Sequence, residues 1–314
     1  MVYGIVGLTL LCLTVKGYCG KRTSGCVRSM GDSALFNLLR MLFCMLIGGV
    51  LVLAEGSLSF LRLEPGMLGI CLLAGLSNAL FLVAWLNAVQ KNTLVSMDVG
   101  MTMGSLLPAI LCACLFGEAI APSKLVGFAL ILGATVILAG HSKKDKKGSF
   151  LGILLLILAA VGDGMTGAVQ QFYRQYYSES GNFTHGVIYP KTVYHFYTYV
   201  FSALILLLVW IVFRLLTKKE DIAKQDHRLL PKIPVKVVGY IFIMAVCMFT
   251  ANYLQTVATN NFGMSSQVLY PILKGGCLIT VNFVAAIFFG EKVTVRTVLG
   301  SATALGGMIL MNVL

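Results

Sequence analysis

Phe288-Phe-Gly-Glu-Lys-Val-Thr-Val-Arg-Thr-Val-Leu-Gly-Ser-Ala-Thr-Ala-Leu-Gly-Gly-Met-Ile-Leu-Met-Asn312 is a tight turn followed by a glycine-studded apolar run. The same text stands 173 residues upstream: Phe116, Gly117 and Glu118 answer Phe289, Gly290 and Glu291, and Gly127 and Gly133 answer Gly300 and Gly306. Further back, Asn78 and Ala84 match Asn252 and Ala258 at an offset of 174, a one-residue slip that a small indel between two copies explains. The chain reads as a duplicated unit.

Outward from these turns the sequence falls into apolar runs near 2–19, 33–54, 66–89, 93–116, 122–140, 149–172, 192–216, 235–258, 263–289 and 294–313. Each approaches the ~20 residues a helix needs to cross a bilayer. The expected fold is therefore all-α: a polytopic membrane protein of about ten transmembrane helices. Residues 1–141 form the first five-helix repeat and 149–314 the second, with a charged linker near 217–234. Five spans per unit is an odd number, so the second copy enters the membrane inverted, and inverted repeats are a transporter signature.

Composition excludes the main alternatives. The 314 residues are 58% hydrophobic and 11% charged, against roughly 25% charged in soluble domains. Long apolar runs without period-2 alternation exclude a membrane β-barrel. The net charge of +12 sits in short loops rather than on a basic helix interleaved with aromatics, so no nucleic-acid partner is expected. Lys and Arg of the loops and their flanking turns divide 17 to 4 between the two sides; the positive-inside rule puts the richer side in the cytoplasm and both termini outside. The basic residues Lys16, Lys21 and Arg22 follow the first apolar run, the wrong order for a cleavable signal. Seven of the nine cysteines lie in apolar runs and read as small hydrophobes. No metal-ligand spacing, cofactor motif, P-loop or catalytic motif is present. The chain is expected not to be an enzyme, and to need neither metal nor cofactor.

At the Phe-Gly-Glu turns the sequence resembles the EamA-type modules of the drug/metabolite transporter superfamily, and it is distantly similar to the last helices of small multidrug resistance exporters. Lys16 and Arg40 match basic residues common in that family. The resemblance implies a ten-helix carrier working by alternating access, in the bacterial inner membrane, as a monomer or homodimer. It also implies that both termini are cytoplasmic, opposite to the charge count. The proton-coupling carboxylate of the small exporters has no match in register; Asp163 lies nearest, which leaves protons a candidate coupled ion.

Charge inside an apolar span is expensive and marks a cavity or a partner. Lys274 follows Pro271 and precedes Gly275 and Gly276, so it is a candidate anion site or an ion-pair partner of Asp98 or Asp163. Asp163, between Gly162 and Gly164, is open to substrate, to a proton, or to a packing role. Asp98 lies about one turn into its span, where snorkelling, the helix N-terminus and a cavity are all open. Lys16 and Arg40 are expected to snorkel from span ends. Asn78 with Trp85, and Asn252 with Gln255, are spaced to share helix faces; with Gln267, Tyr270 and Asn282 they complete the candidate lining. Tyr173, Tyr176, Tyr177, Tyr189, Tyr194, Tyr197 and Tyr199 read as an interfacial aromatic belt or as a gate. These features predict a secondary transporter of a small polar or amphiphilic metabolite. A lipid-modifying membrane enzyme and a non-transporting receptor or scaffold are the alternatives.

Overall fold

A computed structural model of the chain describes residues 2–27, 29–91, 101, 104, 106–117, 122–139, 150–181, 187–216, 234–264, 266–290 and 294–313. Among these residues there is helix and no strand. The α-helices are α1 (Val2–Ser24), α2 (Met30–Ala54), α3 (Pro65–Lys91), α4 (Leu106–Phe116), α5 (Pro122–Ala139), α6 (Phe150–Tyr177), α7 (Lys191–Leu216), α8 (Val235–Asn260), α9 (Ser266–Phe289) and α10 (Val295–Val313). A short 3₁₀ turn, Ser57–Leu61, links α2 to α3.

Seven of the described helices are long and apolar enough to cross a membrane: α1, α2, α3, α6, α7, α8 and α9. The sequence predicts ten spans. Of the others, α5 and α10, with 18 and 19 residues, hold shorter apolar stretches among the described residues, Leu125–Ala134 and Val298–Gly307. The run expected at 93–116 lies partly outside the described residues, and Asp98 with it; so do Glu118, Glu291 and nearly all of the charged linker.

Local chemistry sets the helix ends. Ser29 Oγ accepts the backbone N–H of Asp32 at 3.1 Å and caps the N-terminus of α2. Gly117 and Gly290 follow the last residues of α4 and α9 with the same φ of +64°. Only glycine enters that left-handed conformation without cost, so these two matched positions stop their helices in the same way.

The exterior is apolar and much of the polar chemistry is inside. Leu46, Val50 and Leu53 are exposed along one face of α2, while Asn37 and Arg40 on the same helix are buried. α3 packs on α6 and α7, α2 on α7 and α8, α1 on α8 and α9, α4 on α6 and α9, and α5 on α10.

Side-chain contacts define two ends of the bundle. At one, Lys191 Nζ donates to Asn261 Oδ1 (2.8 Å), Asn260 Nδ2 to Ser178 Oγ (2.8 Å) and Thr192 Oγ1 to Glu55 Oε2 (2.7 Å). At the other, Lys21 Nζ donates to the Val89 carbonyl (3.2 Å). Phe116 meets Phe172 and Tyr176 near the C-terminus of α6, at the first end. Phe289 meets Tyr18 near the C-terminus of α1, at the second. The two Phe-Gly turns therefore lie at opposite ends of the molecule.

Candidate functional site

α6 carries the densest run of candidate chemistry, and small residues allow it. A Cβ on Gly162 would stand 2.7 Å from the Phe81 nitrogen and 3.0 Å from the Ser77 oxygen, both backbone atoms of α3. A Cβ on Gly164 would stand 2.9 Å from Leu107 Cβ of α4, and one on Gly167 3.0 Å from Pro108 and the Tyr270 ring. Without side chains at these positions α6 lies flush against its neighbours, and Asp163, Thr166, Gly167 and Gln170 form an i, i+3, i+4, i+7 stripe facing inward.

This stripe forms one wall of a cavity of about 40 Å³, space for a few waters and no metabolite. Leu13 and Lys16 enter from α1, Asn78 and Phe81 from α3, Asn252 and Gln255 from α8, and Tyr270 and Lys274 from α9. Lys274 Nζ and Asp163 Oδ2 are 2.5 Å apart, with side chains 16% and 17% exposed. Of the two ion-pair partners expected for Lys274, Asp163 is the one the described residues show. Lys16 Nζ stands 5.3 Å from the centroid of the Phe81 ring. A second small cavity adjoins, lined in part by Lys16, Phe81, Trp85 and Lys274, so both lysines border both spaces.

The candidates from sequence divide as follows. Lys274, Asp163, Asn78, Asn252, Gln255 and Tyr270 share the cavity, and Trp85 lies in the adjoining one. Asp98 and the side chain of Gln267 fall outside the described residues. Asn282 does not join them: it donates to Ser301 Oγ at 2.9 Å and ties α9 to α10. Lys16 does not snorkel to an end but points to the cavity, because a helix face, and not distance along the sequence, sets its direction. Arg40 is 1% exposed and donates to Asn37 Oδ1 at 2.7 Å, so it too stays inside.

The tyrosines also differ from an interfacial belt. Tyr173, Tyr177, Tyr189, Tyr194 and Tyr199 are buried. Tyr173 and Tyr194 stack with centroids 4.3 Å apart at 10°. Tyr173 OH donates to the Tyr189 carbonyl (2.7 Å) and Tyr197 OH to the Leu61 carbonyl (2.6 Å). Loop carbonyls take up the hydroxyls of Tyr173 and Tyr189, and Tyr199 OH accepts from Asn252 Nδ2 at 3.1 Å, which lets these rings sit inside the bundle.

Residues that sequence reasoning passed over join this cluster to the cavity. Gln170 Nε2 donates to Thr256 Oγ1, His195 Nε2 lies 2.9 Å from the same oxygen, and Tyr270 OH donates to Gln170 Oε1 at 2.8 Å. The four side chains link α6, α7, α8 and α9 in one layer. On one side of it lies the small cavity; on the other, a vestibule of about 690 Å³ bordered by Tyr173, Tyr253, Glu55, Glu179 and Lys191. The spacing of Gln170 from Asp163, two helical turns along one face, is the sequence signal that points to it.

An all-helical chain with several membrane-length helices around a paired charge is the class this geometry defines. No family model and no curated protein matches the chain. Solved structures do. One, described only as a crystal structure of protein, aligns with a TM-score of 0.69 over 99% of this chain and 96% of that chain, at 16% identity. That likeness extends the fold over essentially the whole length.

Proposed function

We propose that this protein is a secondary transporter of the EamA type, moving a small polar or amphiphilic metabolite by alternating access across a bacterial inner membrane. The observation that carries this reading is the Lys274–Asp163 pair in a tight cavity between helices of both halves. Ionised groups in an apolar bundle mark a solute or ion pathway.

Helix packing supports an inverted repeat. Exchanging α1–α5 with α6–α10 turns the α3–α6 contact into α8–α1 and the α4–α6 contact into α9–α1, all of which occur. The α2–α7 and α5–α10 contacts map onto themselves. Asn78 and Asn252, matched in sequence, both border the cavity. The Phe-Gly turns at opposite ends have the placement inversion requires. In this reading the His195–Thr256–Gln170–Tyr270 layer is the closed gate of one face, and the vestibule is its antechamber. Charge assigns that face to the outside, since the opposite end carries most of the Lys and Arg.

Purified protein in liposomes is expected to accelerate uptake or exchange of at least one solute from a broad metabolite panel. Tests run in both directions, with and without a pH gradient; failure with every solute overturns the reading. The gate has its own test. In a cysteine-free background, Thr166→Cys places a thiol in the cavity. Adding Gln170→Ala removes one acceptor of Tyr270 OH, which also reaches the Gly167 carbonyl at 3.3 Å, and a donor to Thr256, a loss worth about 1–3 kcal/mol. Labelling by a small membrane-impermeant maleimide should then speed up roughly tenfold. Equal labelling rates with and without Gln170→Ala would show that the layer is not a barrier.

A further inference from the structure

We propose that the vestibule binds a primary organic ammonium ion, an amine whose protonated head docks on the carboxylates of Glu179 and Glu55. The inference concerns the vestibule and not the small central cavity, and it does not depend on transport.

The space suits a small molecule. The vestibule's volume of about 690 Å³ lies within the range of ligand pockets. Three helices end at it: Glu55 follows the last residue of α2, Ser178 follows the last of α6, and Asn260 is the last of α8. α7 begins there, at Lys191. A helix C-terminus carries partial negative charge on its last carbonyls and favours a cation.

Hydrogen-bond accounting names the head group. Glu179 makes no hydrogen bond or ion pair among the described residues. Glu55 has one oxygen engaged, Oε2, which accepts from Thr192 Oγ1 at 2.7 Å. The donors on the same walls are used within the protein. Lys191 Nζ donates to Asn261 Oδ1, Asn260 Nδ2 to Ser178 Oγ, and the Tyr173 and Tyr189 hydroxyls to the carbonyls of Tyr189 and Arg62. An ionised carboxylate only accepts, so a ligand for these two acids must donate. A primary ammonium brings three N–H donors and is charged at neutral pH, as a lysine side chain is. A quaternary ammonium brings none.

The Glu179 carboxylate sits on a fixed turn. Gly181 N donates to the Ser178 carbonyl at 3.0 Å, and a Cβ at Gly181 would stand 2.5 Å from the Arg174 oxygen. The turn therefore folds tightly back on the end of α6, and a pre-positioned acceptor loses little freedom on binding. Phe60, Ile188 and Tyr253 border the same space. They offer an apolar wall for the body of the amine, and aromatic faces also attract a cation.

Isothermal titration calorimetry on the full-length protein tests this, in an uncharged detergent and an amine-free phosphate buffer near neutral pH. n-Butylamine, cadaverine and phenethylamine are titrated beside tetramethylammonium, butyrate and 6-aminohexanoate at matched ionic strength. At least one of the three amines should saturate, and more tightly than tetramethylammonium. Glu179→Gln should weaken that amine about tenfold, the scale of one charge-assisted hydrogen bond, and Glu55→Gln should weaken it as well. Glu64→Gln removes a carboxylate at the same end, outside the described lining, and should bind as the parent does; this separates a docked ammonium from general attraction to acidic surface. Glu179→Gln should melt with the parent, since Glu179 is exposed. Three results overturn the inference: no amine saturates, the amines bind no better than tetramethylammonium, or only butyrate or 6-aminohexanoate binds. Amine binding indifferent to both Glu179→Gln and Glu55→Gln, or weakened equally by Glu64→Gln, overturns it too. Amine binding without flux of any solute in liposomes would sink the transport reading and leave this one standing; flux without amine binding would do the reverse.

Discussion

Lys274→Gln is expected to abolish solute flux and to lower stability by about 2–3 kcal/mol, toward the low end of the range for breaking a buried pair because both side chains keep some exposure. The substitution leaves the Asp163 carboxylate without the ammonium that stands 2.5 Å from it, on a cavity that holds only a few waters. A bare carboxylate there is costly, and the loss should appear as a melting temperature lower by roughly 5 °C. Asp163→Asn takes from Lys274 its described carboxylate partner and should also lower stability. The double variant, Lys274→Gln with Asp163→Asn, removes both charges and is expected to recover most of the lost stability, because replacing a pair is far cheaper than breaking it. If the pair is the solute site proposed above, flux should stay absent in the double variant. Melting curves on the three proteins, with liposome flux on each, separate the two roles. A single variant as stable as the parent, or a double variant that transports at the parental rate, would refute the assignment.

Gly162→Ala and Gly75→Ala together are expected to eliminate most of the folded protein. At Gly162 the new methyl would lie 2.7 Å from the Phe81 nitrogen and 2.9 Å from its Cα. At Gly75 it would lie 2.5 Å from Phe201 Cβ and 3.0 Å from the Ser202 nitrogen. These obstacles are largely backbone, so relief requires moving whole helices: α6 away from α3, and α7 away from α3. Each change should cost about 1–3 kcal/mol as an overpacking fault, and the two add because they share no partner. Moving α6 also withdraws Asp163 from Lys274, so the single Gly162→Ala protein should lose flux before it loses fold. Gly239→Ala, where nothing lies within 4 Å of the added methyl, is the control and should express and melt like the parent. Yield of monodisperse protein on size exclusion and its melting temperature are the readouts. Normal yield of the double variant would contradict the packing described here.

Much of the site was visible before any fold was known. Lys274, Asp163, Asn78, Asn252, Gln255 and Tyr270 are polar groups inside apolar runs, and they meet on one cavity. A polar residue in such a run has few places to go other than inward. His195, Thr256 and Gln170 carry no such signal within their own helices; their meaning lies in a contact among three helices. Distance along the chain puts Lys16 and Arg40 near span ends, yet each faces inward. The tyrosines near the α6–α7 connection have the composition of an interfacial belt, but hydroxyls such as those of Tyr173 and Tyr197 find carbonyl acceptors, and Tyr173, Tyr177, Tyr189, Tyr194 and Tyr199 are buried.

Sequence by itself determined the helical class, the apolar runs, the matched Phe-Gly turns and the identity of the buried charges, because hydropathy, glycine conformation and the cost of desolvating an ion are properties of short stretches. Tertiary structure alone decided that Asp163 is paired with Lys274, that Lys16 faces the cavity rather than water, and that four side chains from four helices separate that cavity from the vestibule. Those facts depend on which helix faces meet. Such meetings join residues far apart in sequence, 111 positions for Asp163 and Lys274, and the contacts of glycines at crossings such as Gly75 and Gly162 settle them.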